Sequence, residues 1–223
     1  YMKYNSTKYL KYIKIFLISL FIILFIYSYT KIISNDDIIY SDKIIYIDNF
    51  LENYEYKKLV DNLKGDNRNF IDENFRWTLP LNTYNNKYVY DLLYSDKYLS
   101  FIKNKTSNDN ILKSDFPIEY RIYPNGSPGM KWHSDSLLYD LPQYEAIYTI
   151  NNNSDSKTKW IDEDGKEHLI WTKPNSMLIV KAKGLKHMVT PVNNGKRSIL
   201  KLIYTQTSNT NNNYLNEMRR FAV

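Results

Sequence analysis

The 223-residue chain contains no cysteine. Zinc–thiolate centres, iron–sulfur clusters, disulfide frameworks and cysteine nucleophiles are therefore excluded. The redox compartment stays open, because a secreted domain can do without disulfides. Histidine is nearly as scarce, with three in all, so an imidazole site must draw on His133, His168 and His187. Six glycines against 22 tyrosines, alongside abundant Ile, Asn and Lys, reflect coding bias more than architecture. No internal repeat is present.

An evenly spread positive charge is also missing, despite a net charge of +6. Of the 30 basic residues, five lysines fall in the first 35 positions, which hold no acid; the remainder carries 25 basic against 24 acidic residues. A nearly neutral main body gives no broad phosphate-binding surface, so no nucleic-acid partner is expected.

Long apolar runs are absent except for one. Ile15 to Thr30 (IFLISLFIILFIYSYT) is uncharged and lies between Lys14 and Lys31. As a helix it spans about 24 Å at ~1.5 Å per residue, somewhat less than a ~30 Å hydrocarbon core. Snorkelling by the two lysines, interfacial Tyr12, Tyr27 and Tyr29, and Ile32-Ile33 supply the rest. A cleaved signal peptide is disfavoured because Ser28-Tyr29-Thr30 is a poor cleavage site. A buried core helix is disfavoured because the run has no polar stripe. The expectation is a membrane anchor over residues 13–33, with the N-terminus cytoplasmic and the rest lumenal (ER/Golgi-like) or extracytoplasmic.

Beyond a polar juncture at 34–42, Lys43 to Asp48 reads as a strand, Phe50 to Leu63 as an amphipathic helix ended by Gly65, and Tyr88 to Lys103 as another helix. The Asn-rich stretch 66–87 reads as a loop. From Phe116 the pattern changes to short strands: 117–123, 144–150, 159–161 and 168–172 around the hairpin signal Asp164-Gly165, then 176–181 and 198–205. Strands without intervening helices indicate a sandwich or jelly roll. The fold class expected is mainly β with flanking α. The division is 1–35 cytoplasmic tail and anchor, 36–207 main folded domain, 208–223 polar C-terminal tail.

His133-Ser134-Asp135 places two potential ligands one residue apart, on the same face if the segment is extended. His187 follows after enough chain for several strands. Two imidazoles and a carboxylate on one face of an iron ion leave the other face open. Arg197, ten residues on, could hold the distal carboxylate of a small diacid through its planar fork. His168, beside the hairpin turn, is expected exposed and not a ligand.

Together these segments resemble the prolyl 4-hydroxylase-like branch of the iron(II)- and 2-oxoglutarate-dependent dioxygenases. The resemblance covers about residues 40–207. It is carried by Tyr123-Pro124-Asn125-Gly126 through Trp132-His133-Ser134-Asp135, by Gly184 to Ser198, and by the entry stretch Ile44 to Leu51. It implies a double-stranded β-helix, metal ligation by His133, Asp135 and His187, and cosubstrate contacts from Arg197, Tyr123 and Thr149, with Tyr148 as the alternative to Thr149. It implies Fe(II), 2-oxoglutarate and O₂, with ascorbate as an accessory reductant, and hydroxylation of a C–H bond in a protein or peptide with release of succinate and CO₂. Two departures, the stretch Asn153 to Trp160 around Ser154 and Pro174-Asn175-Ser176, fall where relatives frame the substrate and put proline itself in doubt. The other readings are a catalytically inactive binding module and an oxygenase for a small molecule. Oligomeric state is not legible.

Overall fold

A computed structural model describes residues 12–23, 38–64 and 70–221. Residues 12–23 are helical (α1), with Phe16, Ile18 and Phe21 among its exposed apolar side chains. Among the described residues no helix is long and apolar enough to cross a membrane. The part of the expected anchor beyond residue 23, Gly65 and residues 34–37 of the juncture lie outside the described residues.

A separate unit begins at Asp37. It opens with the hairpin β1 (Ile38–Ser41) and β2 (Ile44–Ile47), followed by α2 (Asn53–Lys64). The presumed loop 66–87 instead contains two strands, β3 (Ile71–Asp72) and β4 (Trp77–Leu81). Their shortness, and Pro80 within β4, hid them from pattern reading. The second helix divides into α3 (Lys87–Leu93) and α4 (Asp96–Thr106), the latter with Ser95 as its extended N-cap residue. There follow β5 (Leu112–Lys113), β6 (Ile118–Tyr123), β7 (Met130–His133), β8 (Tyr144–Asn152), β9 (Thr158–Ile161), β10 (Glu167–Ile170), β11 (Ser176–Lys181), β12 (His187–Val189) and β13 (Arg197–Thr205). The C-terminal segment is also structured, as α5 (Asn212–Met218) and a 3₁₀ turn, Arg219–Phe221.

The strands form two antiparallel sheets. The larger runs β1-β2-β11-β8-β13-β6-β4-β3, with β5 beside β13; the smaller runs β10-β9-β12-β7. Strand periodicity explains what each face does. On β13, Leu200, Leu202 and Tyr204 join a core that includes Leu59 and Leu63 of α2, Val89 and Leu93 of α3, and Tyr98 and Ile102 of α4. The alternate residues Arg197, Ile199 and Lys201 line a cavity. Helices α2, α3 and α4 thus cover one face of the large sheet, and its other face carries the cavity.

Asn175 anchors this arrangement. It sits at φ 62°, a left-handed conformation that Asn tolerates better than most residues. Its Oδ1 accepts from Leu51 N and Tyr148 Oη, and its Nδ2 donates to Leu51 O, at 2.8–3.0 Å. The position taken as a substrate-framing departure is therefore a buried clamp between the β2–α2 connection and the sheet. Asn175→Ala removes three hydrogen bonds, at about 1 kcal/mol each. Urea denaturation should show a loss of about 3 kcal/mol; a loss under ~0.5 kcal/mol, typical of a neutral surface change, would refute the clamp.

Candidate metal and cosubstrate site

His133 ends β7 and His187 begins β12, and the two are cross-strand partners. Their rings approach to 4.3 Å between centroids. The close pairing depends on Gly129, at φ +72°, where a Cβ would lie 2.2 Å from Val189 O. Asp135 lies just past β7, with its Oδ1 4.0 Å from His133 Nε2 and its Oδ2 3.4 Å from His187 Nε2. One ligand atom from each of the three residues falls within 4.8 Å of the others.

The tautomers suit a metal. His133 Nδ1 faces Lys131 O at 2.7 Å, and His187 Nδ1 faces Leu185 O at 3.2 Å. A ring nitrogen that meets a carbonyl oxygen carries the proton, so each Nε2 presents its lone pair towards Asp135. Burial, and then the neighbouring His187, hold the His133 imidazole below its ordinary value, which favours the neutral, ligating form.

The triad opens into a cavity of about 240 Å³ that also contains Arg197 and Tyr123. Arg197 is 1% exposed. Its Nη1 donates to Thr158 Oγ1 at 3.2 Å, while its Nε is buried with no hydrogen-bond partner. No carboxylate among the described residues lies within ion-pair distance of it, and burial lowers its proton affinity. Arg197 pairs across the sheet with Tyr123. Burial pushes the Tyr123 hydroxyl up, but the guanidinium groups of Arg76, Arg121 and Arg197 outweigh it and hold it below the ordinary phenol value.

Thr149 is placed differently from the reading carried over by resemblance. It does not line the cavity; its hydroxyl donates to Thr172 Oγ1 at 2.9 Å. A register irregularity in the β8–β13 pairing between Ser198 and Ile199 lies beside it. Tyr148, the alternative, points into the helix-side core. Thr158 is the hydroxyl that meets Arg197. Ser154 is likewise not at the cavity: it is buried, and its Oγ donates to Asn152 Oδ1 at 2.7 Å. His168, expected exposed, is half-buried, stacked on Trp160 at 5.2 Å and 10° and bonded to Asp162 at 2.6 Å.

Sequence reading missed a set of charged residues on the same wall. Glu119, Arg121 and Tyr123 alternate along β6, as Arg197 and Lys201 do along β13. Arg121 grips Glu119 with two bonds, 2.8 and 3.1 Å. Lys201 Nζ lies 2.8 Å from Glu145 Oε2. Arg220, from the C-terminal 3₁₀ turn, reaches Glu119 at 3.3 Å and Glu73 at 3.2 Å. The signal available was period two: a charge at every second position of an otherwise apolar strand marks one polar face.

Glu119 has a measurable consequence. Burial raises its carboxyl, but Arg121, Lys201 and Arg220 prevail and pull it from 4.5 to about 2. Its folded value is the lower one, so its stabilisation is complete above about 4.5 and is lost as pH falls toward 2. The size is about 3 kcal/mol. Urea denaturation across that range should show the loss in the wild type and not in Glu119→Gln; parallel acid profiles would contradict it.

No protein-family model matches the sequence, and no curated protein does. Solved structures match it in fold. An oxidoreductase of the 2OG-Fe(II) oxygenase family from Burkholderia pseudomallei aligns with TM-score 0.66 at 10% identity, covering 76% of this chain and 87% of its own. A Pseudomonas putida prolyl-4-hydroxylase gives TM-score 0.59 at 15% identity, covering 74% and 93%. A prolyl hydroxylase from Trichoplax adhaerens, in complex with a hypoxia inducible factor peptide fragment, gives 0.54 at 16% identity, covering 74% and 84%. The chain therefore has the jelly-roll fold of the 2OG-Fe(II) oxygenases, with flanking helices.

Proposed function

We propose that the protein is an Fe(II)- and 2-oxoglutarate-dependent oxygenase that hydroxylates a C–H bond. One observation carries this reading: a His-Asp-His cluster with both Nε2 atoms turned inward shares its cavity with a buried guanidinium that meets no carboxylate among the described residues. His133, Asp135 and His187 would hold the metal, a donor set suited to ferrous iron. Arg197 would take the distal carboxylate of 2-oxoglutarate, with Tyr123 and Thr158 as neighbouring hydroxyls. When bound, the pair supplies oxidising power from O₂, with release of succinate and CO₂. The chain's own part is to fix both imidazole tautomers, to match the diacid's charge and to wall off water. Oxygen-dependent succinate formation by the iron-loaded protein tests this; its absence would refute the reaction.

Two substrate readings have support. A peptide is supported by the fold neighbour with its bound peptide. A small polar molecule is supported by the ion-paired wall beside the triad, which is built from this chain's own residues and so weighs more. The uncharged run Ile15 to Thr30 supports a membrane anchor, and the four lysines before it support an oxygenase unit on the lumenal or extracytoplasmic side. Protection of that unit from protease in sealed microsomes is the expected result, and digestion would refute it.

A further inference from the structure

We infer that Lys201 and Glu145 read the substrate, and that the substrate is a small zwitterion, of which a free α-amino acid is the simplest. The inference rests on the iron and 2-oxoglutarate reading above. Both residues line the cavity that holds the triad. Lys201 lies two inward-facing positions beyond Arg197 along β13.

Folding alone gives no reason for charge here. The side chains of Lys201 and Glu145 are 14% and 3% exposed. Burying such a pair costs several kcal/mol per ion, and well-packed apolar residues often do as well or better. Around them the wall mixes apolar Ile147, Leu178, Val180 and Ile199 with the charged Arg121 and Asp135.

The pair is also positioned and incompletely engaged. Gln143 Nε2 donates to Glu145 Oε1 at 3.0 Å and to Ser136 O at 2.9 Å, which ties Glu145 to the segment after Asp135. Glu145 Oε2 has Lys201 beside it and, among the described residues, no hydrogen bond from another group. Arg121 is clamped by its two-pronged bond to Glu119. Lys201, a point charge on a flexible stem, is the cation free to re-aim.

Charge balance selects the chemistry. Four cations share four carboxylates: Arg76 and Arg220 meet Glu73, Arg121, Lys201 and Arg220 meet Glu119, Lys201 meets Glu145, and Arg220 meets Glu217. A substrate with one net charge would leave a wall ion buried without a counter-charge. A zwitterion exchanges one ion pair for two, its carboxylate meeting Lys201 and its ammonium meeting Glu145. A prolyl ring inside a peptide offers neither.

The test is a panel of free L-amino acids and proline-containing peptides, added to the full-length, iron(II)-loaded protein with 2-oxoglutarate, with succinate measured. At least one free amino acid should raise succinate formation about tenfold or more. Glu145→Gln/Lys201→Met removes both charges together, so neither ion is left unpaired. It should raise the KM for that amino acid at least tenfold and weaken its binding equally in anaerobic calorimetry, with 2-oxoglutarate affinity within twofold. Lys201→Arg, which keeps the charge, should recover part of the loss. Stimulation by the peptides alone, or an unchanged amino-acid KM in the double variant, would overturn the inference while leaving the oxygenase reading intact. No metal-dependent 2-oxoglutarate binding in the wild type would overturn both.

Discussion

Arg197→Met should raise the 2-oxoglutarate concentration needed for half-saturation about a hundredfold or more, with iron affinity nearly unchanged. Arg197 is a buried cation whose side chain, among the described residues, has Thr158 as its hydrogen-bond partner and an unpaired Nε–H. A carboxylate placed against it gains a charge-assisted bond in a water-poor site; without the guanidinium that carboxylate is buried unpaired. Truncating one partner of such a pair costs about 2–5 kcal/mol, and ~1.4 kcal/mol is a factor of ten. Arg197→Lys should fall between wild type and Met, since it keeps the charge and loses the fork. Calorimetric titration with 2-oxoglutarate in the presence of iron(II) reads both; a shift of less than about threefold, under ~1 kcal/mol, would place the diacid elsewhere.

His187→Ala should abolish oxygen-dependent succinate formation and weaken iron(II) binding well beyond a hundredfold. Loss of an outer partner of a metal ligand alone costs about 10–100-fold, and here a ligand itself is lost. His187 is a demanding test because it is buried at the start of β12, paired with His133 on one side and Trp160 on the other. Metal titration under anaerobic conditions, alongside a thermal melt to show that the sheet persists, separates lost ligation from lost fold. An iron affinity within threefold of wild type would remove His187 from the site.

The triad was legible because its spacing is short and its residue types are rare: with three histidines in the chain, His-x-Asp and a later His leave few arrangements. Strands β6, β8, β11 and β13 were legible from apolar runs bounded by turns. The rest was obscured for physical reasons. β13 is buried on both faces, so alternation does not show which side meets helices and which meets the cavity. Lys201 within SILKLIYT therefore looked incidental. Thr149 was carried over by resemblance, with Tyr148 as the alternative, beside a pairing irregularity, and the fold engages its hydroxyl with Thr172. Asn175 and Ser154 looked like substrate-framing changes because a turn residue carries no sign of what it bonds.

The C-terminal segment shows the same limit. Its Asn-rich composition reads as a tail, yet Tyr214 and Phe221 pack edge-on against Phe116, and Arg220 reaches the Glu119 network. An arginine pair and two aromatics carry no period, so only the folded chain reveals what they join.

The most direct measurement is anaerobic calorimetry of 2-oxoglutarate binding with and without iron(II), followed by admission of O₂ and assay for succinate. The expected result is one 2-oxoglutarate bound per chain only when iron(II) is present, and succinate formed only after O₂ is admitted. Binding indifferent to iron(II), or no binding at all, would contradict a His133-Asp135-His187 metal site working with Arg197.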